Sequence, residues 1–179
     1  LHQLKLQAHA LEALVEARTR ELAEANEALR NQSLTDPLTG LRNRRYLGVC
    51  MPEDLAQVNR AQHRAAALSG DRFAMNIDLL FIMVDMDHFK EVNDTYGHHA
   101  GDLVLQQLSD ILRVATRDTD TLIRWGGEEF LVVGRNVARH EAGQLAERIR
   151  TSIEEHPFDI GDGVTLRKSC SLGFTFFPF

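Results

Sequence analysis

Long apolar runs are missing from this chain. No stretch approaches the roughly 20 residues that cross a bilayer, so no membrane helix is expected within it. Cysteine is scarce. Cys50 and Cys170 alone do not make a disulfide framework, and a reducing cytosol is the natural compartment. Basic excess is lacking too. With 20 Lys+Arg against 26 Asp+Glu, the formal charge is −6. No global field therefore draws in nucleic acid or an anionic membrane, and an anionic ligand must be held by local charge. A nitrogen and sulfur metal cluster is lacking around His98 and His99, which have no Cys or second His constellation beside them and so read as structural or solvent-facing. There are no internal repeats, no low-complexity segments and no signal-peptide pattern. The first residue is Leu1, so a fragment of a longer protein is expected, cytoplasmic either in its own right or as the inner part of a membrane-bound sensor.

Residues 1–33 contain no Gly or Pro and are rich in Ala, Leu, Glu and Arg. Leu1, Ala8, Val15, Leu22 and Leu29 recur every seven residues, interleaved with Leu4, Leu11, Arg18, Ala25 and Gln32. Eight of those ten positions are apolar, the pattern of a coiled-coil seam and hence of a homodimer joined through a long N-terminal helix. Arg18 and Gln32 weaken the seam locally and can fix its register. The Asp36-Pro37 step ends the helix, because a residue before proline avoids the α region.

Residues 34–179 fit one domain. A helix is expected over Arg44 to Arg64, broken or restarted at Pro52. A buried strand follows near Ile77 to Val84, then a helix from Leu103 to Val114 with leucines at helical spacing. Arg139 to Ile153 is amphipathic, with Leu145, Ile149 and Ile153 on one face. Val164 to Phe177 reads as a final pair of hairpin-like strands. Strands interleaved with helices predict an α/β fold.

The chemistry concentrates in two places. Thr121-Leu122-Ile123 and Phe130-Leu131-Val132-Val133 flank Arg124-Trp125-Gly126-Gly127-Glu128-Glu129, a strand, two-glycine turn and strand. Bare backbone beside two carboxylates suits a polyphosphate carried by a metal ion. A surface hairpin with a solvated acidic edge has the same pattern. The second place is Leu79-Leu80-Phe81-Ile82-Met83-Val84, an apolar run that enters Asp85-Met86-Asp87. By the period of two, Asp85 and Asp87 share a face. Acids at the end of a buried strand are costly unless a cation meets them, although loop acids capping the next segment fit as well.

Beyond that strand comes His88-Phe89-Lys90-Glu91-Val92-Asn93-Asp94-Thr95-Tyr96-Gly97-His98-His99-Ala100-Gly101-Asp102. Together with Arg-x-Gly-Gly-Glu-Glu-Phe and the upstream Asp36-Pro37-Leu38-Thr39-Gly40-Leu41-Arg42-Asn43-Arg44-Arg45, it resembles the GGDEF family of bacterial diguanylate cyclases, from about residue 34 to the end. The resemblance implies a central, mainly antiparallel sheet flanked by helices, a nucleotidyl-cyclase palm of ferredoxin-like type. It implies condensation of two GTP into cyclic di-GMP with release of two pyrophosphates, at a dimer interface and under product inhibition. A catalytically weak or inactive cyclic di-GMP receptor is the alternative.

The site residues follow from that resemblance. Asp85 and Glu128, joined by the Met86 carbonyl, are oxygen donors suited to Mg²⁺ or Mn²⁺, two per site. Glu129 is either a further ligand or the proton acceptor. Lys90 reaches the phosphates, and backbone around His88, Phe89, Gly126 and Gly127 cradles them. Asn93 and Asp102 read the guanine edge, where a carboxylate accepts from N1–H and the 2-amino group. Asp102 equally suits the N-cap of a helix starting near Leu103. Arg117 and Asp120, with Arg148 from a later helix, resemble a product-inhibition site. Arg117 also suits a charge complementing the preceding helix's C-terminus. Family members usually continue past the Ser-x-Gly strand, here Ser171-Leu172-Gly173, into an Ala-Lys-x-x-Gly-Arg-Asn helix. This sequence stops at Phe179, and Lys168, expected in the strand before the stop, is no equivalent of that Lys. The expectation is a truncated sequence or weak substrate binding. An upstream sensor segment is expected as a further partner.

Overall fold

The computed structural model describes residues 15–22, 34–69 and 78–178. Most of the heptad seam expected over residues 1–33 lies outside them. Residues 15–22 are helical, with an Arg18–Glu21 ion pair along the helix. In chain order the elements are β1 (Arg42–Asn43), α1 (Arg44–Ser69), β2 (Leu79–Met86), α2 (Phe89–Tyr96), α3 (His98–Ala115), β3 (Thr121–Gly126), β4 (Glu129–Arg135), α4 (Ala142–Glu155), β5 (Phe158–Asp159), β6 (Thr165–Leu166) and β7 (Cys170–Phe177).

The main sheet runs β1-β3-β4-β2-β7. Only β1 and β3 pair in parallel, so the sheet is mainly antiparallel, as expected. Its centre is β2, bonded on both edges, which is why its sequence is almost continuously apolar. Leu80, Ile82, Val84 and Met86 face α3 and α4, meeting Phe130 and Val132 of β4, Val104, Leu108 and Leu112 of α3, and Ile149 and Ile153 of α4. Leu79 faces the other way, into a second cluster with Ile123, Leu131, Val133, Met51 and Val58 beneath α1. The amphipathic pattern of α4 is borne out, since Leu145, Ile149 and Ile153 are buried.

Two expectations fail. Pro52 does not interrupt α1, which runs through it. A helical proline costs about 3 kcal/mol, but buried Met51 and Val58, on either side of it, each return about 1.5–3 kcal/mol by the same scale of estimate. The Asp54–Arg135 ion pair ties the same stretch to β4. Nor do the last strands pair with each other. β6 pairs with β5 in a separate two-stranded sheet, while β7 pairs along its whole length with β2. Lys168 accordingly lies in the connection before β7, not in a strand.

Candidate active site

The β2–β4 register places Asp85 opposite Glu129, so both carboxylates leave one face of the sheet at the same end. The β3–β4 turn is one residue further on than the sequence suggests. Gly126 still belongs to β3, and Gly127 and Glu128 form the turn. Gly127 has φ +49, a left-handed conformation that glycine adopts at little cost. A register shift between Arg124 and Gly126 marks a bulge, a device that re-aims side chains next to a site.

Asp85 and Asp87 are pushed in opposite directions. Burial, then the charges of Glu128 and Asp87, raises the carboxyl of Asp85 above its ordinary value. Asp87 is held below its ordinary value by hydrogen bonds from the Ser169 and Ser171 hydroxyls, at 2.7 and 2.8 Å. One acid is committed to the protein, and the other is left facing uncompensated negative charge.

Beside this acidic end lies a cleft of about 440 Å³. Of the residues expected in the site, it gathers Phe89, Lys90, Asn93, Asp102, Gly127 and Glu128, and adds His98, Leu105 and Arg124. Asp85, Met86, His88, Gly126 and Glu129 do not line it; Asp85 is joined to it through the charge of Glu128. His98 and His99 are both exposed, as expected, but the place of His98 on the cleft wall was not.

The N-cap alternative for Asp102 is overturned. Gly97, at φ +83, ends α2 and is itself the N-cap position of α3, which begins at His98. Asp102 sits inside the helix, exposed toward the cleft, relieved of any capping role. One residue earlier, Gly101 makes the close approach of α2 and α3 possible. A Cβ built there would lie 2.0 Å from Asn93 Oδ1 and 3.1 Å from Phe89 Cζ.

Sequence reasoning missed the brace behind the turn. The Arg124 guanidinium donates to the Gly127 carbonyl from Nε and Nη2, at 3.1 and 2.9 Å, and from Nη1 to both Asp36 oxygens at 3.2 Å. Asp36 also accepts from the Thr39 backbone N–H and hydroxyl at 2.9 and 2.8 Å. Burial works against ionised Asp36, but the Thr39 hydrogen bonds and the Arg124 charge prevail and hold its carboxyl below the ordinary value. The motifs carrying these residues were visible, but nothing in their spacing says that they touch.

Arg117, Asp120 and Arg148 meet at a second, smaller cleft of about 140 Å³, with Glu141 and Gln144. Asp120 closes its own loop, accepting from the Arg117 N–H at 2.9 Å. The C-terminus of α3 is complemented from α4 by Arg148. Arg148 donates twice to the Ala115 carbonyl, at 3.0 and 2.8 Å.

The donors at the acidic end fit a hard divalent cation. They are oxygens throughout, and the repulsion on Asp85 is what a cation would relieve. Among the described residues no three His, Cys, Asp or Glu side chains form a closed metal cage. That suits an ion which takes one or two carboxylates and completes its shell with water and substrate phosphate.

A family profile described as "Diguanylate cyclase, GGDEF domain" matches residues 33–178. Diguanylate cyclase A of Treponema denticola is 35% identical over 158 residues, covering 88% of this chain and 39% of that protein. Diguanylate cyclase DgcP of Pseudomonas aeruginosa is 39% identical over 151 residues, covering 84% and 20%. The chain thus spans well under half the length of these relatives. Among solved structures, it is similar to diguanylate cyclase SiaD in complex with its activator SiaC from P. aeruginosa, with 30% identity, TM-score 0.63 and coverage of 98% and 62%. It is also similar to the GGDEF domain of TpbB (YfiN) from the same organism, with 31% identity, TM-score 0.68 and coverage of 80% and 76%.

Proposed function

Because the chain belongs to the GGDEF family of diguanylate cyclase domains, we propose that it condenses two GTP into cyclic di-GMP and two pyrophosphates. The observation that carries this reading is the cleft that joins Asn93 and Asp102 to Lys90 and Glu128 beside the acidic strand end. Asp102, exposed toward the cleft, offers a carboxylate to the two N–H donors of a guanine edge, which adenine lacks, and Asn93 lines the same cleft. Lys90 meets the phosphates as a point charge, and the backbone N–H groups at the start of α2 and at the Gly127–Glu128 turn add fixed dipoles.

In each half-reaction a ribose 3′-hydroxyl attacks the α-phosphorus of the other GTP. A phosphodiester bond forms, the bond to the β-phosphate oxygen breaks, and pyrophosphate leaves. The protein supplies position and charge. Two Mg²⁺ or Mn²⁺ ions, held by Asp85, the Met86 carbonyl, Glu128 and Glu129, would supply Lewis acidity and neutralise phosphate charge. Glu129, on the same face as Asp85, serves as a ligand or takes the hydroxyl proton.

One chain offers one such cleft, whereas the product contains two reciprocal bonds. A two-fold dimer therefore faces two half-sites. Residues 1–33 supply it as a coiled coil; among the described seam positions, Val15 is 56% exposed. Residues 34–179 are then the catalytic domain, placed in the cytoplasm and driven by an upstream sensor. Cyclic di-GMP binds back at Arg117, Asp120 and Arg148 as an inhibitor, with arginines for phosphate and a carboxylate for guanine.

The test is Glu128→Gln. It removes charge and keeps shape, so turnover of GTP falls at least a hundredfold by the usual scale for a lost electrostatic contact, while the melting temperature holds. Equal rates for a folded variant and the parent would remove Glu128 from the chemistry.

A further inference from the structure

Between β2 and α2 the chain makes a two-residue turn, Asp87-His88, on which both halves of the proposed site depend. Before it stand Asp85 and the Met86 carbonyl. After it come the first amides of α2 and the cleft residues Phe89 and Lys90. From its own side the turn is tied only at His88, whose carbonyl accepts from the Glu91 N–H at 3.2 Å and whose Nδ1 lies 3.1 Å from a Glu91 carboxylate oxygen. His88 has φ +56, a left-handed conformation that is costly for a residue with a Cβ, and α2 has no side-chain cap there.

The hold on Asp87, and a further one on His88, comes from one short segment ahead of and into β7. The Asp87 N–H donates to the Ser169 carbonyl at 3.0 Å. The Ser169 and Ser171 hydroxyls donate to the two oxygens of Asp87, at 2.7 and 2.8 Å. The Lys168 ammonium donates to the His88 carbonyl at 3.1 Å. Four hydrogen bonds, two of them to a carboxylate and one from an ammonium, thus converge on two residues. Bonds with an ionised partner are the strong kind. The proposed mechanism uses none of Lys168, Ser169 and Ser171.

We propose that Lys168, Ser169 and Ser171 form a clamp on the Asp87–His88 turn, making them positioning residues for the triphosphate of the nucleotide. The inference rests on the GTP reading above. The clamp fixes where the α2 amides and Lys90 stand relative to Asp85, and it brings the Lys168 cation to the same turn. The guanine end of the cleft has separate support. Asn93 and Asp102 are carried by α2 and α3, whose packing runs through buried Phe89, Val92, Ala100 and Gly101. Loosening the clamp therefore weakens the grip on phosphate and spares the grip on guanine.

The experiment titrates the full chain with the α,β-methylene analogue of GTP and, separately, with GMP, in the presence of Mg²⁺. The variants are Lys168→Met and the Ser169→Ala, Ser171→Ala pair, with Lys168→Arg and Ser169→Thr as conservative controls. The expected result is an affinity for the analogue roughly tenfold lower in both disruptive variants, the scale of a lost charge-assisted hydrogen bond, with GMP affinity unchanged and the analogue's restored by the controls. Equal losses for both nucleotides mean general loosening and overturn the clamp, as does no loss at all. If the serine pair does not fold, Lys168→Met decides alone. A parent chain that does not prefer the GTP analogue to its adenine counterpart overturns the GTP reading itself. A parent that binds it with variants equal to the parent overturns only the clamp.

Discussion

Gly101 shows how a residue with no side chain can make room for a neighbour's. Its missing Cβ is the space in which Asn93 Oδ1 lies, and filling it forces the end of a flexible side chain to move while the backbone stays. Gly101→Ala should therefore leave the melting temperature within a few degrees and weaken GTP binding about tenfold, the scale of one hydrogen bond to a buried partner; calorimetry beside a thermal melt reads both. Unchanged binding would mean that Asn93 does not read the nucleotide. The sequence offered Asp85 and Glu128 as candidates, because acids at the end of an apolar strand or beside glycines are conspicuous in one dimension, and Asp102 only through the family resemblance. It could not reveal why Gly101 is glycine, since the approach of α2 to α3 exists only after both helices pack. The opposite fates of Asp85 and Asp87 were hidden for the same reason. The two serines that claim Asp87 lie more than 80 residues further along the chain.

At the scale of elements, the β3–β4 turn is held from outside. Arg124 grips the Gly127 carbonyl with one side of its guanidinium and Asp36 with the other, so the segment before β1 braces the turn that carries Glu128. Asp36 has a carboxyl that titrates lower in the folded protein than in the unfolded chain. Its stabilisation is thus complete above the ordinary carboxylate range and disappears as pH falls through the depressed value. Asp36→Asn should cost about 1–2 kcal/mol at neutral pH, and the gap between variant and parent should close in acid. Urea melts across that range check it; a gap independent of pH would mean that the charge on Asp36 does no bracing. The element list was largely legible: the buried strand, the hairpin and the amphipathic α4 all stand within a few residues of where periodicity put them. Pro52 misled because its penalty is local while the packing of Met51 and Val58 is tertiary. The last strands misled because alternation shows that a strand exists but not which strand it joins, and β7 found its partner in β2.

Taken whole, the molecule has a five-stranded sheet and a separate two-stranded one, and the acidic end of the larger would carry half of the proposed reaction. With a net charge of −6 the protein has no global field to gather an anionic substrate, so the proposed mechanism leaves that to local groups: Lys90, the turn amides and a cation that the carboxylates would hold. A product with two reciprocal bonds asks for two copies of this cleft face to face, and the proposed parallel coiled coil over residues 1–33 would raise their effective concentration. The most direct measurement is the initial rate of cyclic di-GMP formation from GTP and Mg²⁺ over a series of protein concentrations, with pyrophosphate counted alongside. The proposed mechanism predicts two pyrophosphates per cyclic di-GMP and a specific activity that rises with concentration until dimers saturate. A folded chain that binds GTP yet returns it intact at every concentration would contradict it.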